Sequence, residues 1–176
     1  MKPRILVTSF QTWLPHQKSN SADDLLAEIA EQDYSLCSLI LLRKLPVDTL
    51  EASKLVIEEI AKQQPHAVIC CGMAESRGKL SVESNARCDS AKIYTKINLD
   101  KLVVQLIDTE ISHDAGNFVC EGLYYQVLNY LQQLSPQIPC IFVHVPIINS
   151  ENITTILLDF KLIVQQIVQD YLSEVS

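Results

Sequence analysis

Three side chains in this sequence have the types that nucleophilic acyl transfer requires: a thiol at Cys120, an imidazole at His144 and a carboxylate at Glu83. Ala115-Gly116-Asn117-Phe118-Val119-Cys120 places the cysteine at or within the first turn of a predicted helix. Unpaired backbone N–H groups and the positive end of the helix dipole stabilise an anion there. Such a position favours a thiolate, with the pKa drawn toward neutrality, and the same N–H groups suit the negative oxygen of a tetrahedral intermediate. His144 follows Ile141-Phe142-Val143 and precedes Val145-Pro146. It therefore ends a buried strand, held by backbone on both sides, as a base should be. Glu83, within Leu80-Ser81-Val82-Glu83-Ser84-Asn85, would accept the other imidazole N–H and fix the tautomer. Each residue also has a plain structural reading, as a packing cysteine, a satisfied strand-end histidine and a solvated glutamate, and spacing alone does not show that the three meet.

The elements that must position them alternate between short apolar runs and longer amphipathic ones, which predicts an α/β fold. Arg4 to Phe10 reads as a buried strand, and Asn20 or Ser21 caps a helix to about Glu31 with Asp23 and Asp24 in its first turn. Ser35 to Lys44 is β-like. Asp48-Thr49-Leu50-Glu51 has capping-box spacing, and Leu55, Val56, Ile60 and Ala61 then share one helical face. Ala67 to Cys71 is the next strand, and 79–97 is mixed. Asn98 caps a helix containing Leu102, Val103, Leu106 and Ile107. Glu110 to His113 is a very short strand or loop, Phe118 to Leu134 a helix and Pro139 to Val145 a strand. From about Ser150 to Val175 a last helix turns Ile153, Leu157, Leu158, Leu162, Ile163, Ile167 and Leu172 inward. Ligands in such folds gather beyond the carboxyl ends of parallel strands. The loops Ser9 to Ser21, Gly72 to Asn85, Asp114 to Cys120 and His144 to Asn149 are thus the places to look.

Composition narrows the function. The 176 residues suit a single domain, 1–176. Fourteen Lys and Arg against 21 Asp and Glu give a net charge of −7 with no basic cluster, which argues against nucleic acid and anionic membranes. No apolar run approaches the ~20 residues needed to span a bilayer, and no signal peptide is visible. The chain is expected to be cytoplasmic, with its six cysteines as free and mostly buried thiols. Histidines and cysteines lack ligand spacing, so no metal or other cofactor is predicted. Only four glycines occur, Gly72, Gly78, Gly116 and Gly122, where average usage of ~7% would give about twelve. A chain so sparing with glycine keeps it where backbone turns sharply or approaches a ligand closely, which singles out 72–78 and 116. The scarcity also excludes the common glycine-rich nucleotide loops.

The segments that carry the three residues resemble the pyroglutamyl peptidase I family of cysteine peptidases over most of the chain. Ala115-Gly116-Asn117-Phe118-Val119-Cys120 is similar to that family's AGTFVC nucleophile motif, with Asn117 for Thr. Phe142-Val143-His144-Val145-Pro146 is similar to its F-I-H-V-P segment. Cys71-Gly72-Met73-Ala74-Glu75-Ser76-Arg77 with Leu80-Ser81-Val82-Glu83 resembles G-x-A-G-G-R then I-T-P-E-R. Ile5-Leu6-Val7-Thr8-Ser9-Phe10, Trp13 and Asn20-Ser21 resemble its opening I-L-V-T-G-F-x-P-F and N-P. The resemblance implies a Cys120, His144 and Glu83 triad on a three-layer αβα sandwich with a mostly parallel central sheet, of the phosphorylase/hydrolase-like kind. It implies removal of an N-terminal pyroglutamyl residue from a peptide or small amide substrate through a thioester on Cys120. Phe10, Trp13, Met73 and Arg77 are the implied substrate-binding residues. The aromatic pair would wall the neutral lactam, and Arg77 would orient the intermediate or the glutamate. The family's tendency to associate makes a homo-oligomer a reasonable expectation. Departures lie in Ser9, Leu14 and Pro15, which replace glycines of the first loop, in Ser84 for arginine and in Cys88 for asparagine. The stretch between Asn85 and His113 is also shorter by some tens of residues. That stretch covers the substrate in the family, so its loss predicts a more open cleft. Two alternatives follow: hydrolysis of another blocked amide, or a non-catalytic peptidase-like binding scaffold.

Overall fold

Apolar runs bounded by turn residues become strands, and the capped amphipathic segments become helices. The computed structural model describes residues 2–174. Along the chain come β1 (Arg4–Phe10), α1 (Ser21–Ala30), β2 (Ser38–Leu45), α2 (Thr49–Gln63), β3 (Ala67–Met73), β4 (Leu80–Glu83) and β5 (Asn85–Cys88). They are followed by β6 (Ala91–Tyr94), α3 (Leu99–Val103), β7 (Thr109–Ser112), α4 (Val119–Leu131), β8 (Cys140–Val145) and α5 (Ile153–Glu174). The expected caps are in place. Asn20 accepts from the Ala22 N–H, Asp48 from the Glu51 N–H and Asn98 from the Lys101 N–H, each satisfying a donor the helix leaves unpaired.

Six strands form one sheet in the order β2-β1-β3-β8-β4-β7, and β5 pairs with β6 in a separate hairpin. β2, β1, β3 and β8 run parallel; β4 is antiparallel to β8, and β7 is parallel to β4. Helices cover both faces, so the three-layer αβα architecture with a mostly parallel sheet is as expected. Because β1 lies between β2 and β3, α1 leaves toward one face and α2 toward the other. The carboxyl ends of β1 and β3 therefore border the crevice at which ligands bind in such folds.

Side chains alternate strictly across this sheet. Val7, Ile69, Cys71, Val82 and Val143 pack with α1 and α5, whereas Leu6, Cys70 and Phe142 pack with α2 and α4. The same period of two directs Gly72 of β3, His144 of β8 and Glu83 of β4 to the second face. Three neighbouring strands thus present their residues to α4, whose second residue is Cys120.

Several details differ from expectation. The buried side of α2 is Ala52, Ser53, Val56 and Ile60; Val56 and Ile60 are buried as expected, whereas Leu55 and Ala61, at the two edges of that face, point outward. The 79–97 region resolves into three four-residue strands. α3 has only five residues, and Ile107 is exposed rather than part of a helical face. The cause is Asp159 of α5, whose fully buried carboxylate accepts from the Ile107 N–H at 2.7 Å, the Asp108 N–H at 2.9 Å and the Thr109 hydroxyl at 2.7 Å. These bonds draw the chain out of the helix and start β7. On α5, Ile163 and Ile167 are buried as expected, joined by Ile156, Phe160 and Val164, while Leu158 and Leu172 are exposed. Among the described residues no helix is long and apolar enough to cross a membrane.

β7 flanks the strand that carries Glu83, so Asp159 indirectly supports the site. Asp159→Ala would strand two backbone donors and a hydroxyl, and urea denaturation should show a stability loss of about 3 kcal/mol.

Candidate active site

The geometry is set from the sheet outward. His144 Nδ1 lies 2.7 Å from Glu83 Oε1, and both side chains are buried. Burial opposes ionisation of Glu83. The bond from His144, the neighbouring Ser112 hydroxyl and the charges of His144 and Arg77 more than offset it, holding the carboxyl below its ordinary 4.5. An ionised carboxylate only accepts, so Nδ1 carries the proton and Nε2 is left as the base. The Ser112 hydroxyl itself donates to the Asp114 carbonyl at 3.2 Å, and Glu83 Oε2 is buried with no hydrogen-bond partner. The carboxylate is therefore fixed through Oε1 alone. Arg77, in the loop from β3 to β4, secures that same oxygen with Nη1 at 2.6 Å, and its Nη2 donates to the Asp114 carbonyl at 2.8 Å.

Cys120 reaches this pair from the helix side. In the parallel register Gly72 stands opposite His144. A Cβ built on Gly72 would lie 2.6 Å from Cys120 Sγ and 2.9 Å from Phe142 Cζ. The missing side chain of Gly72 is thus the seat of the sulfur, one strand spacing of ~4.8 Å from the His144 backbone and on the face its ring occupies. Phe142 packs under both, with its ring centroid 4.8 Å from that of the imidazole. Gly116, the other glycine of interest, has φ +93° and turns the backbone into α4, a conformation other residues rarely adopt. Phe118 occupies the N-cap position, and no side chain caps the helix, so its first-turn N–H groups remain available to an anion.

The thiol is not the low-pKa group that its helix position suggested. Burial pushes Cys120 up to about 12. The negative charge of Glu83 and the neighbouring Cys70 add to this, while Arg77 and the residue's own N–H act the other way. A helix terminus contributes about 0.3–1 kcal/mol at most exposed sites, less than one pKa unit, and is outweighed by desolvation. The sulfur stays protonated until the imidazole takes its proton.

Cys120 and His144 line a cleft of about 1140 Å³ that gathers the ends of β1 and β3, the β3–β4 loop and the segment leading into α4, with Glu83 buried behind them. Phe10 forms part of its floor but is only 2% exposed and belongs mainly to the α2–α4 core. Trp13 is half exposed at the rim, where its ring centroid lies 5.8 Å from that of Phe118. Gln17 accepts from the Trp13 and Leu14 N–H groups and donates to Glu75 at 2.8 Å, tying the first loop across to the second. Met73 lines the cleft and its sulfur accepts from the Ser21 N–H. Arg77 lines it too, with its guanidinium committed to Glu83, Ser81 and Asp114. Of the cysteines, Cys88 is exposed, against the expectation of burial, because it ends β5 at the hairpin turn. Sequence reasoning did not single out Phe118 as a rim residue, nor Val47 of the β2–α2 loop and Thr49 at the start of α2, which also line the cleft. The exposed Phe before a helix was the available signal. Residues 85–109 contribute nothing to the cleft lining among the described residues; the β5–β6 hairpin packs on α4 instead, which leaves the cleft uncovered on that side.

A model of the pyroglutamyl peptidase family matches residues 86–171, a stretch that holds Cys120 and His144 and begins just after Glu83. The pyrrolidone-carboxylate peptidase of Halalkalibacterium halodurans is 26% identical over 171 aligned residues, covering 81% of this chain and 83% of that protein. That of Gloeobacter violaceus is 25% identical over 169, with 81% of each covered. The crystal structure of pyroglutamyl peptidase I from Bacillus amyloliquefaciens superposes with a TM-score of 0.82 at 18% identity, covering 96% of this chain and 98% of that one.

The chain is similar to the pyroglutamyl peptidases in sequence and shares their fold.

The pyrrolidone carboxyl peptidase of Thermococcus litoralis has the same fold, with a TM-score of 0.80 at 17% identity. The chain thus shares the fold of these structures, and its own first loop holds no glycine.

Two outcomes follow from this geometry. Gly72→Ala puts a methyl where the sulfur sits, so alkylation of Cys120 by iodoacetamide should slow at least tenfold and stability should fall by about 1–3 kcal/mol. Because the Glu83 pKa is lowered on folding, its contribution is present above pH 4.5 and is lost as pH falls below that value through the folded pKa. Urea midpoints of the parent should therefore drop more steeply below pH 4.5 than those of Glu83→Gln.

Proposed function

We propose that the chain is a cysteine peptidase that removes N-terminal pyroglutamyl residues from peptides, with Cys120 as nucleophile, His144 as general base and acid, and Glu83 as the group that orients the imidazole. The observation that carries this reading is the buried 2.7 Å contact between His144 and Glu83, with the Cys120 sulfur seated over Gly72 at the register partner of His144. Names of the relatives, pyrrolidone-carboxylate and pyroglutamyl peptidases, support the same substrate.

In the proposed cycle His144 Nε2 takes the thiol proton as Sγ attacks the pyroglutamyl carbonyl carbon. The oxygen becomes negative and meets the uncapped first-turn N–H groups of α4. Collapse breaks the C–N bond, and His144 returns its proton to the departing amine. A thioester remains on Cys120. Water, deprotonated by the same nitrogen, then releases pyroglutamate and restores the thiol. Glu83 accepts from Nδ1 throughout and stabilises the ring while it is positively charged; Arg77 holds the carboxylate in place. Phe10 and Met73 would contact the lactam from the floor and Trp13 from the rim. A neutral ring needs no counter-charge, and Arg77, already paired, offers none.

The cleft, at about 1140 Å³, exceeds the usual ~300–1,000 Å³ of a small-ligand pocket. Its size favours a peptide that extends past the scissile bond, and also a second reading in which a bulkier blocked amide is the acyl group. All six cysteines are free, which supports a reducing compartment such as the cytoplasm, and the continuous sheet supports one domain.

The test is release of a chromophoric amine from its pyroglutamyl amide by the purified chain. Turnover is expected, and Cys120→Ala should abolish it. Glu83→Gln should lower kcat by about 10²- to 10⁴-fold with little change in KM. Turnover of another N-acyl amide in preference to the pyroglutamyl one would favour the second reading, and no turnover of any blocked amide would defeat both.

A further inference from the structure

The nucleophile and its imidazole partner sit on different elements, and the segment that delivers Cys120 is a loop with little support of its own. Residues 114–118 form no regular structure, turn at Gly116 and enter α4 without a side-chain cap. One side chain from outside fastens both ends of this segment. Arg87, on β5, donates from Nη2 to Asp114 Oδ1 at 2.6 Å, and that same oxygen accepts the Gly116 N–H at 3.0 Å. Its Nε lies 3.6 Å from Glu121 Oε1, and its backbone N–H also donates to that oxygen. Asp114 precedes the glycine turn, and Glu121 directly follows the nucleophile. Glu121 is nearly buried, with its second oxygen unpartnered, and its Oε1 takes both contacts from Arg87.

Asp114 is shared. Its side chain binds Arg87, while its carbonyl accepts from Arg77, which in turn holds Glu83. A continuous path of polar contacts thus runs from His144 through Glu83, Arg77, Asp114 and Arg87 to Glu121, the residue that follows the nucleophile. We propose that Arg87 is a positioning residue for catalysis: by clamping Asp114 and Glu121 it fixes the approach of Cys120 and the first-turn N–H groups of α4 to the imidazole. This rests on the peptidase reading given above and assigns no contact with substrate to Arg87. A guanidinium suits the role because it spans two carboxylates in one plane, which a lysine ammonium cannot do.

The experiment compares the parent chain with Arg87→Ala and Arg87→Lys, reading kcat and KM on a pyroglutamyl amide, the alkylation rate of Cys120 by iodoacetamide, and the melting temperature. A misplaced nucleophile lowers kcat while leaving substrate binding intact. Arg87→Ala is expected to lower kcat about 10- to 100-fold with KM within about threefold, and to slow Cys120 alkylation about fivefold or more. Arg87→Lys is expected to restore most of the melting temperature but little of kcat, since charge opposite Glu121 returns without the second contact. Folded Arg87→Ala with unchanged kcat and alkylation overturns the proposal, as does recovery of kcat and melting temperature together in Arg87→Lys. Should Arg87→Ala fail to fold, Asp114→Asn decides: it keeps the carbonyl for Arg77 and loses the charged contact to Arg87. A drop in kcat of about fivefold or more supports the clamp, and an unchanged kcat overturns it. If the parent itself releases no product, the peptidase reading fails, while the alkylation rates still report whether Arg87 places Cys120.

Discussion

The hydrogen bond between Glu83 and His144 is the contact on which the arrangement depends. Two polar side chains are taken out of water at the centre of a sheet, and each would be costly there alone. Together they satisfy one another, and the alternation of β4 and β8 brings them to the same face without any distortion of either strand. Arg77 then has a fixed anion to bind, Asp114 has a fixed arginine, and the loop leading to the nucleophile inherits its position from that sequence of contacts. The helix that carries Cys120 closes over the one position in β3 that offers no side chain. The site is therefore built from the most rigid layer of the molecule outward.

Much of this was legible in the sequence because it depends on local pattern. Strand and helix periods gave the α/β order, and Asn20, Asp48 and Asn98 marked their helices through a chemistry that works over three residues. Scarcity of glycine pointed to 72–78 and 116: Gly116 makes the sharp turn, Gly72 makes room for the Cys120 sulfur rather than for a ligand, and Gly78 stands in open space. The three triad residue types were visible, and the family resemblance supplied their grouping. What local pattern lacks is depth. The helix position of Cys120 suggested a stabilised thiolate, but the burial that raises its pKa comes from Gly72 and Phe142, 48 residues before it and 22 after.

Other features escaped for related reasons. Four-residue strands such as β4 and β5 carry too few residues to show a period. The length of α3 was decided by Asp159, whose carboxylate competes for the same N–H groups from a distance of about fifty residues. Arg87 gave no signal at all, since its partners Asp114 and Glu121 are 27 and 34 residues away. The buried face of α2 proved narrower than its apolar residues suggested: Val56 and Ile60 face the core, but Leu55 and Ala61 lie at its opposite edges, beyond the reach of the packing.

The high thiol pKa has a consequence for survival in a cell. Peroxide, like other electrophilic oxidants, attacks the thiolate, and the burial that raises the pKa of Cys120 keeps that form scarce in the resting site. A buried, protonated sulfur is correspondingly less open to conversion to sulfenic acid than an exposed thiolate. Cys88, at the surface of the hairpin, stands as the more accessible target for the first oxidising equivalents.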